Sequence, residues 1–76
     1  MEIKKTLLAI VNTIRENKGL EILHEVKETD RLREDYGFTS FDLAELTVNI
    51  EDEFDVDVFE DGLVNTIGDI LAKIEK

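Results

Sequence analysis

The sequence predicts an all-α fold, a small four-helix bundle made of three main helices and a short third helix. Apolar residues recur at spacings of three and four in three separate segments, which is typical of amphipathic helices. The chain contains no proline, the residue that most often interrupts a helix. Its length of 76 residues predicts a single domain, residues 1–76, whose short helices are stable only when their apolar faces pack together.

The first main helix is predicted from five apolar residues that share one face: Ile3, Leu7, Ile10, Val11 and Ile14. The stretch Asn17-Lys18-Gly19 is a helix-ending signal, because glycine readily takes the left-handed conformation found there. Residues 20–38 form a long connection, and a connection of this length in a compact domain is usually functional. Some helical content is predicted within it, from Leu20, Leu23 and Val26.

The second main helix carries two apolar stripes roughly 100° apart. One stripe, predicted to face the core, consists of Leu43, Leu46, Ile50 and Phe54. The other, predicted to face a neighbour or a partner, consists of Phe41, Ala44 and Val48. The rest of the helix surface is acidic, with Glu45, Glu51, Asp52 and Glu53.

The last third of the chain begins with the alternating residues 54–58, which are predicted to be an extended loop because no second strand is available to pair with them. Residues 60–65 are predicted to form one short helical turn. Thr66 and Asp69 have the spacing of a capping box. They are expected to start the last amphipathic helix, whose apolar residues are Ile67, Ile70, Leu71 and Ile74.

Charge is concentrated in the centre of the chain. The net charge is −10, and residues 34–61 contain eleven acidic residues and no Lys or Arg. Such a segment repels nucleic acid and anionic membranes, and it attracts basic protein partners. The alternative is an acidic face that only aids solubility.

Cysteine is absent, so neither disulfides nor zinc–thiolate sites are expected, in keeping with a cytoplasmic protein. The longest apolar run, residues 7–11, is too short to insert into a membrane. No catalytic constellation surrounds His24, the single histidine. A calcium loop starting at Asp55 is excluded, because Phe59 and Glu60 occupy positions that require an oxygen ligand and glycine. No dedicated metal site is predicted.

The stretch from Gly37 to Ser40 is the most informative part of the sequence. Gly37 can turn the chain sharply, and either Thr39 or Ser40 can cap the helix that follows. A serine at this end of a helix is exposed where backbone N–H groups stabilise a phosphate. The alternative is that Ser40 is only a cap.

This region resembles the modification site of acyl carrier proteins, usually a Gly-x-Asp-Ser-Leu motif that opens an acidic helix. The corresponding residues here are Gly37-Phe38-Thr39-Ser40-Phe41, and the similarity continues through Glu45-Leu46, Ile50-Glu51-Asp52-Glu53-Phe54 and Thr66-Ile67-Gly68-Asp69-Ile70. The resemblance implies that Ser40 carries a 4′-phosphopantetheine arm, whose thiol bears the cargo as a thioester. That would also explain how a chain without cysteine presents a thiol.

The resemblance further implies a monomeric carrier without catalysis of its own. A phosphopantetheinyl transferase (holo-acyl-carrier-protein synthase) would attach the arm from coenzyme A with Mg²⁺, and acyl-transfer and synthase enzymes with basic docking patches would use it, as in fatty acid biosynthesis. The expected partner surface is Phe41, Ala44, Glu45, Val48, Glu51 and Asp52. An acyl chain would lie between the helices, against Leu43, Leu46, Ile50 and Ile67.

Four features depart from the family pattern. Thr39 replaces the usual Asp, Phe41 replaces Leu, Asn49 replaces a small apolar residue, and residues 60–65 are about two residues short. These departures leave the pathway open. The alternatives are a carrier of aminoacyl, D-alanyl or polyketide cargo, and an acidic interaction module such as a nucleic-acid mimic that is not modified at all.

Overall fold

The computed structural model describes residues 3–59 and 64–75. They contain three helices, α1 (Ile3–Asn17), α2 (Ser40–Phe54) and α3 (Ile67–Ile74). No strand occurs in these two ranges, where an isolated bridge joins Arg31 to Thr66. The all-α class and the three main helices are therefore confirmed. Most of the predicted short helix, residues 60–63, lies outside the described residues.

α1 forms because its apolar residues recur with the helical period, and the buried ones are Leu7, Ile10, Val11 and Ile14. The helix ends where predicted. Gly19 has a φ of +78°, a left-handed conformation that glycine adopts without steric cost. Its backbone N–H donates to the Glu16 carbonyl at 3.0 Å, which satisfies one of the carbonyls that a helix end leaves open.

α2 begins with a capping box. The backbone of Thr39 is extended, its side chain accepts from the Asp42 N–H, and the Asp42 carboxylate accepts from the Thr39 N–H at 2.8 Å. The helix ends at Asp55, which is left-handed with a φ of 58°. Its predicted core stripe is buried from Leu43 to Ile50, and Phe54 at its end is half-buried.

α3 also begins with the predicted capping box, formed by Thr66 and Asp69. Its buried residues are Ile67, Ile70 and Leu71. Gly68 approaches the connection closely, since a Cβ there would lie 3.0 Å from the Glu28 carbonyl oxygen, and its N–H donates to that same oxygen at 2.9 Å. None of the helices in the described ranges is long and apolar enough to cross a membrane.

The predicted long connection between α1 and α2 is present, but its helical content does not lie at residues 20–26 as expected. The stretch around Leu23 is not helical, because the Asn12 side chain bonds both the N–H and the carbonyl of Leu23, at 2.7 and 2.9 Å. The backbone N–H and carbonyl of Leu23 thus bond to a side chain of α1 and not to other backbone groups of a helical turn. A helical turn occurs later, where the Asp35 N–H donates to the Arg31 carbonyl at 2.9 Å.

That turn is fixed against the start of α3. The Leu32 N–H donates to the Asn65 carbonyl at 2.8 Å, and the Ile67 N–H donates to the Asp30 carbonyl at 3.0 Å. Leu32, Tyr36 and Phe38 are buried in the core beside the helices. The rings of Tyr36 and Phe38 meet edge to face, with centroids 5.8 Å apart. The connection is therefore a packed part of the fold that sets the position of the residues before α2.

Candidate functional site

Ser40 is the first residue of α2 and is exposed. Thr39, not Ser40, is the helix cap, which decides between the two residues that the sequence left open. Thr39 can stand where acyl carrier proteins usually have Asp, because Thr and Asp are both favoured helix caps. The Ser40 hydroxyl does not cap the helix, and it is exposed at the start of α2.

Ser40 has a charged hydrogen-bond partner, Arg33. Its guanidinium Nη2 donates a hydrogen bond to the Ser40 Oγ at 3.1 Å. Sequence reasoning missed this contact. A signal was available, because Arg33 is the last basic residue before the acidic segment 34–61.

Asp42 lies in the first turn of α2, two residues after Ser40, and is buried. It accepts hydrogen bonds from the Lys18 ammonium and from both the N–H and the hydroxyl of Thr39. Burial, the largest single influence, raises the pKa of Asp42, but these hydrogen bonds and the Lys18 charge together hold that pKa below its usual value. The carboxylate is thus kept ionised, and it holds the first turn of α2 in place.

The turn before α2 depends on Gly37, whose φ is +74°. A side chain at this φ would be strained, so glycine is the residue that fits. The Gly37 carbonyl also accepts from Lys18 Nζ at 3.1 Å. Lys18 therefore holds both the turn and the helix start, and it is a second residue that sequence reasoning missed.

The predicted partner surface is exposed on α2. Phe41 is 89% exposed and Val48 is 59% exposed, and Ala44 on the same stripe is exposed as well. The acidic side chains predicted to surround this stripe, Glu45, Glu51 and Asp52, are also exposed. Apolar side chains this large are usually covered, and an exposed apolar row bordered by charge is typical of an interaction site.

The predicted acyl-pocket residues Leu43, Leu46, Ile50 and Ile67 are all buried in one apolar cluster. The structure brings them together, and they pack as a core. A cleft of about 490 Å³ lies elsewhere, between α1 and α2, with Ala9, Thr13, Asn49 and Asp52 among its lining residues and none of the four pocket residues. Accommodating an acyl chain against the four residues would require the helices to part.

Within residues 3–59 and 64–75, no group of three or more potential metal ligands occurs. His24 is exposed in the connection after α1. An exposed hydroxyl free of capping, next to a guanidinium, fits the attachment of a phosphate-linked group.

Comparison with known proteins agrees with this geometry. The sequence profile of the family described as "Phosphopantetheine attachment site" matches residues 8–74. The chain belongs to the acyl carrier protein family. An acyl carrier protein of Sulfurovum sp. (strain NBC37-1) is 38% identical over 53 residues, which cover 67% of this chain and 71% of that protein.

A second relative, the acyl carrier protein of Thermotoga maritima, is 41% identical over 54 residues, which cover 68% of this chain and 67% of that protein. No solved structure matches this chain significantly. As a member of the family, the protein is a carrier that uses 4′-phosphopantetheine, and it is not itself a catalyst. Carriers of this kind interact in general with transferases and synthases.

Proposed function

We propose that Ser40 is the residue to which the phosphopantetheine arm is attached and that this carrier presents acyl thioesters from there. The main support for the proposal is that Thr39 and Ser40 have different roles at the start of α2. Thr39 caps the helix, whereas the neighbouring Ser40 hydroxyl is exposed and does not cap it. When bound, the arm supplies the thiol that the cysteine-free chain lacks.

The residues around Ser40 keep the attachment point rigid and accessible. Lys18, Asp42 and Thr39 hold the first turn of α2 through hydrogen bonds. Rigid support is what a transferase needs in order to bring a nucleophile to its substrate in one geometry. The exposed apolar row of α2, with its acidic border, runs away from Ser40 along the same helix. A partner that binds this surface would thus have the arm within its reach.

The proposed partners are a phosphopantetheinyl transferase and enzymes with basic patches that handle acyl groups. The acidic side chains Glu45, Glu51 and Asp52 would steer such partners, and Phe41, Ala44 and Val48 would provide the apolar contact. Fatty acyl intermediates are the favoured cargo, because two relatives bear the name acyl carrier protein and the bundle interior is apolar. Function as a cytoplasmic monomer is part of the same proposal.

The test is the intact mass of the protein after incubation with coenzyme A, Mg²⁺ and a broad-specificity transferase. We expect the wild type to gain the mass of one arm, and peptide mapping to locate it at Ser40. Ser40→Ala should gain nothing, while the matched control Thr39→Ser should still be modified once. A Ser40→Ala protein that acquires the arm would exclude Ser40 as the attachment residue.

A further inference from the structure

Arg33 approaches Ser40 from outside α2. Its Nη2 lies 3.1 Å from the Ser40 Oγ. Within the described residues its guanidinium forms no ion pair, whereas the nearby Arg31 pairs with both Glu34 and Asp35. The charge of Arg33 is therefore available to another anion, while that of Arg31 is already engaged.

The backbone that carries Arg33 is held on both sides. On one side, the N–H of the buried Leu32 donates to the Asn65 carbonyl at 2.8 Å. On the other, the buried Tyr36 donates from its hydroxyl to an Asp30 carboxylate oxygen at 2.7 Å. The Arg33 carbonyl accepts from the Gly37 N–H at 3.1 Å. The guanidinium is thus presented to Ser40 from a packed turn and not from a free loop.

A phosphodiester on Ser40 would add negative charge to the most acidic part of the chain. Residues 34–61 contain eleven acidic residues and no basic one. Like charges at short range raise the free energy of a new anion, and a guanidinium lowers it through paired N–H donors whose geometry matches two phosphate oxygens. The cation already in contact with the Ser40 hydroxyl is Arg33.

We propose, on the basis that Ser40 carries the arm, that Arg33 is a phosphate-binding residue that pairs with the phosphodiester formed there. In the transfer step, the Ser40 Oγ forms a bond to the phosphorus next to the pantetheine portion of coenzyme A. The pyrophosphate P–O bond breaks, and adenosine 3′,5′-bisphosphate leaves. The hydroxyl proton passes to a base of the transferase. Arg33, which contacts the oxygen before the step, contacts the non-bridging phosphate oxygens after it.

The test compares Arg33→Gln and Arg33→Lys with Arg31→Gln. The control removes the same charge two residues away, from a side chain already paired with carboxylates. Each holo protein is examined by phosphorus NMR at low and high salt. In the wild type and in Arg31→Gln, we expect the phosphodiester resonance to move as salt screens the ion pair. In Arg33→Gln the phosphodiester resonance should already differ from that of the wild type at low salt, and it should move little as salt is added. Arg33→Lys should give an intermediate result, because lysine keeps the positive charge but lacks the paired N–H donors of the guanidinium.

The transferase reaction provides a second readout. We expect kcat/KM for Arg33→Gln to fall about two- to fivefold at low salt, the range for an exposed charge pair. If this rate falls while the phosphorus resonance matches the wild type, Arg33 contacts the transferase instead, and the pairing is overturned. Identical resonances in Arg33→Gln and Arg31→Gln overturn it as well. A wild type that gains no arm at Ser40 would instead refute the proposed function, and with it this inference.

Discussion

The ammonium of Lys18, just beyond the end of α1, donates a hydrogen bond to the carboxylate of Asp42 in the first turn of α2. The same carboxylate oxygen accepts from the Thr39 N–H at 2.8 Å and from its hydroxyl at 3.1 Å. One carboxylate therefore joins two helices and completes the cap beside Ser40. Both helices meet where the cofactor attachment is proposed, so the stability of this contact bears directly on the site.

The first prediction concerns the charge of Asp42. Because its pKa is lowered in the folded protein, its ionised form stabilises the fold above the pKa of an unfolded aspartate, about 3.9. That stabilisation is lost as the pH falls through the folded pKa. Asp42→Asn should therefore lower the free energy of unfolding at pH 7, by about 1–3 kcal/mol for a buried hydrogen-bonding group. The deficit relative to the wild type should shrink in acid.

The measurement for Asp42→Asn is urea unfolding followed by circular dichroism between pH 7 and pH 3. Asp52→Asn, which removes an exposed carboxylate from the same helix, is the control for a lost charge. A deficit in Asp42→Asn that stays constant down to the lowest pH would mean that shape and hydrogen bonding, and not ionisation, provide the stabilisation.

The second prediction separates capping from modification. Thr39→Ala should destabilise the protein by about 0.5–2 kcal/mol, because Thr39 is the cap. Ser40→Ala should change stability by no more than about 0.5 kcal/mol, as for an ordinary surface substitution. Thermal unfolding of both unmodified proteins tests this, and the reverse order of stabilities would contradict the assignment of the cap.

Much of this fold could be predicted from the sequence, because the helices are determined by neighbouring residues along the chain. The period of apolar residues located α1, α2 and α3, with the capping box of Thr66 and Asp69 marking the start of α3, and the outward stripe containing Phe41 followed from the same period. The connection was not readable, because its backbone hydrogen bonds go to distant residues such as Asn12 and Asn65. The contact of Arg33 with Ser40 depends on that connection, so periodicity could not predict it.

The third prediction concerns the end of α2. Asp55 is the one residue other than glycine with a positive φ in the described ranges, and its charge lies at the negative end of the helix dipole. Asp55→Asn keeps a residue that tolerates this conformation and removes the charge, so the melting temperature should rise. Asp55→Ala removes the same charge but disfavours the conformation, and should be about 1 kcal/mol less stable than Asp55→Gly. Equal stabilities for Ala and Gly would argue against left-handed strain there.

The fourth prediction concerns cargo. Since Leu43, Leu46, Ile50 and Ile67 are already packed as a core, a medium-length acyl chain can reach them only if the helices part. If it does, it binds the native state alone, and the acylated protein should melt above the holo protein. An acetylated protein is the control, because its chain is too short to be buried. Equal melting temperatures for the medium-chain and acetyl forms would favour polar or small cargo.

The last prediction concerns the exposed surface of α2. Glu45→Lys or Asp52→Lys should lower the transferase's kcat/KM by about two- to fivefold each at low salt, chiefly through slower association. The loss should diminish as salt increases, because steering acts through unscreened charge. Val48→Ala, which removes exposed apolar contact, should lower kcat/KM with little dependence on salt. All three variants should keep the helical content of the wild type, since these side chains lie outside the core.

Glu25→Lys is the matched control for these charge reversals, because it changes an acid that is also exposed but lies in the connection and not on α2. A reduction confined to the α2 variants would identify a local recognition surface. An equal reduction in Glu25→Lys would mean that the transferase responds only to the total negative charge. In that case the 89% exposure of Phe41 would need another partner to explain it, since net charge alone gives no reason for an apolar row on the surface.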